Sequence, residues 1–360
     1  MILSSLDLTS FRCYDTLTLN LNPNVNIIVG DNAQGKTSIL EAIHMLCLTK
    51  SHKLTKDIDL IKKDKEFAKI HGEFHLNTTK VELNMILSKN GKKAKYNKIE
   101  VSKLSDYIGR INVVMFAPED LDLVKGSPQG RRRFLDIEIG QLSKTYVKNL
   151  NHYKRLLRER NEVLKGLAKK QKYNKTMLSV ITDQLIHYAE KIITARESFI
   201  TDLNDALKNV FPLFGSDPAL TLMYKPSVKD NLKKAFQQKE SIDILAKATQ
   251  IGPHRDDFEF VFDQEPIKHY ASQGQIRSVV LALKFTVAEM IFTTKKHYPL
   301  ILLDDVFSEL DPSRQHNVLS YLDKRAQVFI TTTHIDHIDF NIIDNYRIYD
   351  IESGRLKGAE

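Results

Sequence analysis

The chain has 360 residues, 42% hydrophobic and 27% charged, which is enough for roughly two globular domains with a sizeable core. Its 53 Lys and Arg residues exceed its 45 Asp and Glu residues, giving a formal net charge of +8. This excess suits a polyanionic partner such as nucleic acid or an anionic membrane, although solvated lysines alone can produce it. No stretch approaches the ~20 apolar residues that span a bilayer, and Asp7 interrupts any signal-peptide core. We therefore expect a cytoplasmic protein and no membrane partner.

The two cysteines, Cys13 and Cys47, are too few for a disulfide framework or for a metal site of their own. Both lie in apolar surroundings in the sequence. We expect both to be buried and reduced.

The first predicted elements are short strands over residues 2–8, 16–21 and 25–29, followed by a helix that ends near Leu48. Between the third strand and the helix lies a complete G-x-x-x-x-G-K-[ST] phosphate loop, from Gly30 to Thr37. In this context backbone N–H groups and the helix N-terminus face the phosphates, Lys36 reaches the β and γ oxygens, and the Thr37 hydroxyl ligates Mg²⁺. The predicted nucleotide-binding residues here are Gly30, Asp31, Asn32, Ala33, Gln34, Gly35, Lys36, Thr37 and Ser38.

The next segments predict a β-hairpin and then a pair of helices. Strands are predicted over residues 70–76 and 81–87, with a tight turn at Asn90-Gly91. The lysines around this turn suit protection of an edge strand, and DNA contact is the alternative interpretation. Between Leu142 and Val210, apolar spacings of three and four predict two long amphipathic helices. The polar stretch 169–175 suits the loop of an antiparallel helical hairpin.

After Pro212 the pattern returns to mixed α/β, with short apolar runs at 300–303 and 328–331 that suit central parallel strands. The phosphate loop is near one end of the chain and these strands are near the other. We therefore expect one nucleotide-binding domain assembled from both termini, with a helical insertion. The expected divisions are 1–140, 141–245 and 246–360.

The strand at 300–303 leads into two carboxylates, Asp304 and Asp305. We interpret Asp304 as the Mg²⁺ partner and Asp305 as the acceptor that orients or deprotonates the attacking water. Further along lie Asp311, which could be a cap or turn residue, and His334 after another apolar strand. Upstream, Ser272-Gln273-Gly274-Gln275 opens a predicted amphipathic helix, where Ser272 could be an ordinary N-cap.

The order of these motifs is more specific than any one of them and resembles the ATP-binding-cassette ATPases. The resemblance implies an α/β P-loop NTPase domain, like the Rad50 and SMC heads, with an inserted helical lid or arm. It also implies a homodimer in which the Ser-x-Gly-Gln helix of one subunit closes on the ATP of the other. Ser272, Gly274 and Gln275 would then bind nucleotide, and His334 would join Asp305 and Lys36 in catalysis.

Seven short motifs narrow the resemblance further: Ser10 to Tyr14, Gly30 to Ile43, Phe116 to Leu121, Arg131 to Asp136, Gly252 to Asp257, Ser272 to Gln275 and Asp304 to Asp311. Taken together they resemble the RecF family of bacterial recombination-mediator ATPases. This resemblance implies an ATP-driven, Mg²⁺-dependent dimer with weak ATPase activity, which binds double-stranded and gapped or junction DNA. Such a dimer works with RecR to load RecA during recombinational repair, replication restart and the response to DNA damage.

Other classes of ATPase fit the distances between these motifs less well. Thr37 and Ser272 are 235 residues apart, which is longer than a transporter cassette and far shorter than the coiled coils of Rad50 and SMC proteins. A chromosome-organising SMC-like head would need such arms. A DNA-processing ATPase of the overcoming-lysogenization-defect type would need a nuclease domain, but 26 residues follow His334.

Several assignments stay open at this stage. Because Asp305 is one methylene shorter than the usual Glu, hydrolysis is expected to be slow. Glu119 and Gln129 are both candidates for the Q-loop residue. Arg131 to Arg133 belong to a family motif, and salt bridges to the insertion are an equally good interpretation of them. Arg12 could approach the nucleotide or brace the first strand. His254 and Arg255 could form part of the dimer rim or the nucleotide rim.

Overall fold

The structure is a computed structural model that describes residues 1–53, 56–76, 79–169, 175–215, 219–307, 310–322 and 325–359. Most of the predicted loop at 169–175, and Ser308 and Glu309 of the acidic motif, lie outside these residues. The chain forms two compact units. The first unit comprises Met1–Leu121, Asn209–Ser216 and Gln273–Glu360, and the second comprises Asp122–Lys208 and Asp217–Ser272.

The elements follow one another along the chain as short strands, long helices and strands again. The strands are β1 Ile2–Phe11, β2 Tyr14–Asn20, β3 Val25–Val29, β4 Phe67–Leu76, β5 Thr79–Ser88, β6 Gly91–Tyr96, β7 Ile99–Glu100, β8 Val113–Phe116, β9 Leu220–Lys225, β10 Asp257–Phe262, β11 Glu265–Pro266, β12 Leu300–Asp304, β13 Val328–Thr332, β14 Tyr346–Glu352 and β15 Arg355–Ala359. The helices are α1 Lys36–Leu48, α2 Asp122–Lys125, α3 Pro128–Leu142, α4 Lys144–Ala168, α5 Lys175–Val210, α6 Leu232–Ala246, α7 Gln273–Lys295 and α8 Pro312–Leu322.

The first unit contains a six-stranded sheet in the order β15-β14-β3-β13-β12-β8. Its strands β14, β3, β13, β12 and β8 run parallel, and only the β14–β15 pair is antiparallel. β12 and β13 are buried along their whole length, as expected for strands covered on both faces. Because β3 comes from the N-terminal part of the chain and β12 to β14 from the C-terminal part, the prediction of one domain built from both termini is confirmed.

The other sheet of the first unit is antiparallel, in the order β2-β1-β4-β5-β6-β7. β5 alternates between buried and part-exposed side chains, which indicates that one face packs on the core. β5 and β6 are joined by the two-residue turn Lys89-Asn90, with Ser88 paired to Gly91. The predicted tight hairpin is therefore present, but its turn begins one residue before the predicted Asn90-Gly91 pair. Lys92 and Lys93 pair with Asp57 and Glu100 within this unit.

The second unit is organised around α4 and α5, the two long helices that the apolar spacing predicts. Their contacts have an antiparallel register, because partners later in α4 meet residues earlier in α5. The pairs are Tyr146 with Arg196, His152 with Tyr188, and Arg160 with Thr182.

A three-stranded antiparallel sheet, β11-β10-β9, also belongs to the second unit, so the insertion is not purely helical. The unit begins at Asp122 and ends at Ser272, outside the expected divisions at 141 and 245. One physical reason is Arg131 of α3, whose guanidinium makes two hydrogen bonds, of 2.7 and 2.9 Å, to the Asp257 carboxylate of β10. Arg132 donates to the carbonyl of Asp256. The salt-bridge interpretation of this arginine run therefore holds for Arg131.

Two local expectations are wrong. Cys47 is buried, but Cys13 is exposed, because it lies in the two-residue turn between β1 and β2. The helix opened by the Ser-x-Gly-Gln motif, α7, is not amphipathic in its middle part. Every residue from Ser278 to Ala288 is buried, so that part of α7 is covered on all sides. None of the described helices is long and apolar enough to cross a membrane.

Arg160 is the main polar anchor of the second unit. It is 1% exposed and donates to Asp243 Oδ2 and Thr249 Oγ1, both at 2.8 Å, while its guanidinium lies over the ring of Phe236. Asp243 is completely buried. A buried ion pair contributes little net stability when intact, but the loss of one partner leaves an uncompensated charge.

We therefore expect Asp243→Ala to lower the free energy of unfolding by about 3–5 kcal/mol. The control is Lys165→Gln, which breaks an exposed pair with Glu162 on the same helix α4 and should cost less than about 1 kcal/mol. Denaturant unfolding followed by circular dichroism measures both. Equal losses in the two variants would contradict the structural role of Arg160.

Candidate nucleotide-binding site

A cleft of about 670 Å³ opens in the first unit beside the carboxyl ends of β3, β12 and β13. Its size lies within the range of small-molecule and cofactor sites. In a parallel sheet, ligands bind in the crevice beyond the carboxyl ends of the strands. The lining residues are Arg12, Cys13, Asn32, Ala33, Gly35, Lys36, Thr37, Ser38, Ile58, Asp59, Ile61, Lys63, Asp304, Asp305 and Thr331.

The phosphate loop requires glycine at both ends for steric reasons. A Cβ on Gly30 would lie 2.2 Å from the carbonyl oxygen of Ile351, and one on Gly35 would lie 2.6 Å from Cys13 Sγ. Both glycines have positive φ angles, +152° and +112°. The Tyr14 hydroxyl donates to the Gly35 carbonyl at 3.0 Å. The loop conformation therefore depends on glycine together with the β1–β2 turn and β14.

The turn between β14 and β15 braces the loop from its other side, a feature that no sequence motif indicates. Ser353 donates its backbone N–H to Gln34 Oε1 at 2.5 Å, and Gly354 donates to the Gln34 carbonyl at 3.2 Å. Gln34 therefore anchors the loop to the C-terminal hairpin.

Lys36 begins α1 and is 8% exposed. Its Nζ donates to the carbonyls of Gly30 at 2.6 Å and Asp31 at 2.8 Å. Burial lowers the pKa of this ammonium, while the nearby Asp305, Asp304 and Asp31 carboxylates act in the opposite direction. The ammonium is thus held against the phosphate loop by the loop's own carbonyls.

Thr37 and Asp304 meet in this site although 267 residues separate them. Thr37 Oγ1 donates to Asp304 Oδ1 at 2.8 Å, and Thr331 Oγ1 donates to the same atom at 2.7 Å. Burial raises the pKa of Asp304, and the two hydroxyl donors partly offset that effect. A hydroxyl and a carboxylate form the hard oxygen set that Mg²⁺ prefers. The donor chemistry therefore fits the predicted metal pair Thr37 and Asp304.

Asp305 lies next to this pair with a left-handed backbone, φ +51°. Its N–H donates to Thr331 Oγ1 at 3.0 Å, so Thr331, which sequence reasoning missed, positions both acidic residues. Asp311 accepts from the backbone N–H of Arg314 near the start of α8 and is therefore a helix cap. Glu309 lies outside the described residues.

The remaining predicted site residues do not line this cleft. Ser272 is exposed and immediately precedes α7, whose first turn contains Gly274 and Gln275. His334 is exposed and follows β13. Their proposed contacts with nucleotide are therefore not made through the lining of this cleft.

Arg12 lies in the turn between β1 and β2 and lines the cleft. Its guanidinium makes two hydrogen bonds to the Glu41 carboxylate of α1, at 2.8 and 2.9 Å, so it braces this turn against α1. Its approach to a nucleotide stays a prediction. Further lining residues that sequence reasoning missed come from the segment 58–63, which follows α1 without any recognisable motif. They are Ile58, Asp59, Ile61 and Lys63.

Glu119 follows β8 and pairs with Lys53 at 2.7 Å. The negative charge of Glu119 contributes to raising the pKa of Asp304, which indicates that the two carboxylates are close in space. Gln129, the other Q-loop candidate, lies in α3 of the second unit. Asp120, which follows Glu119 in the sequence, is buried and pairs with Lys284 of α7 at 2.9 Å.

His254 has a structural environment within the second unit. Its Nδ1 lies 2.6 Å from the Tyr153 hydroxyl, and its Nε2 lies 3.0 Å from the Thr249 carbonyl. Nε2 must therefore donate, because a carbonyl can only accept. Burial lowers the pKa of His254, which favours the neutral ring, and in that state Nδ1 accepts from the Tyr153 hydroxyl. The neighbouring Arg255 is exposed.

The comparisons with known proteins agree with this architecture. Residues 2–356 match the model of the RecF/RecN/SMC N-terminal domain family. The chain is 41% identical to the DNA replication and repair protein RecF of Staphylococcus carnosus and 42% identical to that of Geobacillus kaustophilus, over 99% of this chain and 100% and 99% of those proteins.

Solved structures give the same result. A structure titled as the recombination mediator protein RecF with ATP in the RecFOR pathway matches with a TM-score of 0.92 and 29% identity, over 99% of this chain and 97% of that one. A Pyrococcus furiosus Smc head domain, at 17% identity and a TM-score of 0.56, shares the fold. The chain therefore belongs to the RecF family of DNA replication and repair proteins, with the ATP-binding-cassette fold of the SMC heads.

Proposed function

We propose that the cleft binds MgATP and that the chain is an ATP-driven switch on DNA. The observation that carries this proposal is the hydrogen bond between Thr37 and Asp304, which unites the phosphate loop with the acidic end of β12. Of the matched relatives, one is titled as a complex with ATP and another as a complex with ATPrS. Both support a triphosphate as the ligand.

The residues have distinct roles in this proposal. Thr37 and Asp304 would hold Mg²⁺, which neutralises phosphate charge when it is bound. Lys36 and the backbone N–H groups of the phosphate loop bind the phosphate oxygens. Asp305 accepts a proton from, or orients, the attacking water. Because a carboxylate on a short side chain reaches less far than that of Glu, we expect weak ATPase activity.

Dimerisation would complete the site. Ser272, Gly274 and Gln275 lie at or just before the N-terminus of α7, where a hydroxyl, the first backbone N–H groups of the helix and the positive end of its dipole suit an anion. They do not line the cleft of their own chain, so we assign them to the γ-phosphate bound by a second copy. His334 is assigned to the same closed state.

The biological role follows from the family. We propose that the ATP-bound homodimer binds double-stranded DNA at gaps or junctions, and with RecR helps to load RecA during recombinational repair and replication restart in the cytoplasm. The net charge of +8 supports a nucleic-acid partner. The alternatives, a nuclease-linked DNA-processing ATPase and an SMC-like chromosome-organising head, are less favoured because relatives named RecF match over 99–100% of their own length.

We expect Lys36→Ala to abolish ATP binding with little change in stability. The variant removes two hydrogen bonds worth about 1 kcal/mol each, but it also relieves the desolvation of a buried cation, and the two effects largely offset each other. Calorimetric titration with ATP and thermal melting test this. The control is Lys56→Ala, an exposed lysine of the same unit. Unimpaired ATP binding by Lys36→Ala would refute the assignment of the phosphate loop.

We expect Asp305→Asn to bind ATP normally but to hydrolyse it about 100-fold more slowly, because the water loses its proton acceptor. Asparagine tolerates the left-handed backbone at this position, so the fold should be retained. Asp311→Asn, at a helix cap, is the control and should keep its turnover. Steady-state phosphate release measures both. Wild-type turnover in Asp305→Asn would transfer the role to another carboxylate.

We expect Ser272→Arg to bind ATP as a monomer but to lose ATP-dependent dimerisation, because a bulky side chain would occupy the receptor for the partner's γ-phosphate. Light scattering with ATP and with ADP reports the mass. Ser241→Arg, which places the same side chain on the exposed face of α6, should still dimerise. A dimer of Ser272→Arg as stable as the wild-type dimer would refute the assignment of this motif.

A further inference from the structure

The positive charge of the chain is concentrated in the second unit. This unit has 26 Lys and Arg residues against 19 Asp and Glu residues, whereas the first unit has 27 against 26. The second unit therefore carries +7 of the net charge of +8. A polyanion should be attracted to it far more strongly than to the unit that contains the nucleotide cleft.

Within the second unit, the charge lies on one of the two long helices. The exposed charged side chains of α4 are six cations and two carboxylates, while those of α5 are three cations and five carboxylates. The exposed charged side chains of α4 therefore sum to +4 and those of α5 to −2, so the solvent-facing surfaces of the two helices are of opposite sign.

The cations of α4 are aligned. With 3.6 residues per turn, the positions of five of them fall within an arc of about 100° and extend over about 32 Å of helix, close to one turn of B-form duplex. All five are exposed, and Lys169, at the C-cap, continues the row. We call this row the basic stripe; its members are Lys144, Lys148, Arg155, Arg158, Lys165 and Lys169.

Much of the stripe is not neutralised within the chain. Arg155 and Lys165 pair with the flanking Glu159 and Glu162, which are exposed pairs that compete weakly. Among the described residues, no carboxylate lies within ion-pair distance of Lys144, Lys148 or Arg158. The tyrosines of α4, Tyr146 and Tyr153, are buried and point away from the stripe.

We infer that the basic stripe of α4 binds the sugar-phosphate backbone of duplex DNA without regard to sequence, an inference that rests on the proposed DNA-binding function. Cations spaced along a straight helix match a row of phosphates. The stripe contains no aromatic side chain, and the exposed ring beside it, His152, is stacked on Tyr188 at 4.9 Å. The stripe therefore offers no row of platforms on which successive unpaired bases could stack. Contacts of this kind position the duplex and do not read its bases.

The test compares two triple variants of the full chain, each without three positive charges of the second unit. The stripe variant is Lys144→Gln/Lys148→Gln/Arg158→Gln, and the matched control on α5 is Lys175→Gln/Lys191→Gln/Lys208→Gln. A third variant, Lys144→Arg/Lys148→Arg/Arg158→Lys, keeps the charge of the stripe. Anisotropy of labelled duplexes of two unrelated sequences is measured with ATP over a range of NaCl concentrations, and thermal melting verifies the fold.

We expect the stripe variant to bind both duplexes about tenfold or more weakly at low salt. The slope of log affinity against log salt should become shallower by roughly one for each phosphate that the stripe no longer neutralises. The α5 control and the charge-keeping variant should bind like the unaltered chain. An unchanged affinity or slope in the stripe variant would overturn the inference, as would an equal weakening in the α5 control.

Two further outcomes separate the inference from the function on which it rests. If the unaltered chain fails to bind duplex DNA with ATP, the proposed function itself fails. If the stripe variant loses binding to phosphatidylserine vesicles and retains duplex binding, the stripe serves an anionic surface other than DNA, and the inference is wrong.

Discussion

The candidate site depends most directly on the hydrogen bonds made by the Thr331 hydroxyl. This hydroxyl donates to the Asp304 carboxylate and accepts from the Asp305 N–H, while Thr37 donates to the same carboxylate. These hydrogen bonds require β13 to lie between β3 and β12 in one register. A slip of one residue would turn every side chain of a strand to the other face of the sheet. The pairing of distant chain segments is therefore a condition for the chemistry.

That register is supported at the opposite end of the strands by Gln327. Its side-chain amide accepts from the Leu3 N–H and donates to the carbonyls of Leu3 and Asn22, so the start of β13 is bonded to the N-terminal segment. At the end near the cleft, the C-terminal hairpin binds Gln34 and lies against Gly30. Both ends of the chain are thus needed before the phosphate loop can take its shape, which explains how a motif near residue 30 can depend on strands beyond residue 300.

Most parts of this structure that sequence could predict have local causes. The phosphate loop, the helix after it, the hairpin between β5 and β6 and the apolar periodicity of α4 and α5 are each specified by neighbouring residues. The pairing of Thr37 with Asp304 is the exception, because the order of the motifs predicts it across 267 residues. The expectations that failed depend on packing between distant segments. Cys13 lies among apolar residues in the sequence yet occupies a turn, and the sheet of β9 to β11 forms from short strands whose pairing is invisible locally. Ile58 and Ile61 reach the cleft only because the segment that follows α1 folds back beside it.

The unequal distribution of charge suits the two units to different kinds of anion. The first unit is nearly neutral. Its cleft contains the backbone N–H groups of the glycine-containing phosphate loop, a helix N-terminus and one buried lysine. These dipoles act over a few ångströms and are shielded little by salt because they are partly buried. The second unit has a surplus of exposed cations, whose field extends about 10 Å at moderate ionic strength and is screened beyond that distance. A compact triphosphate suits the short-range arrangement, and an extended polyanion suits the long-range one. In the proposed function, this segregation would direct an extended polyanion to the second unit, because the unit that contains the cleft carries a net charge of only +1.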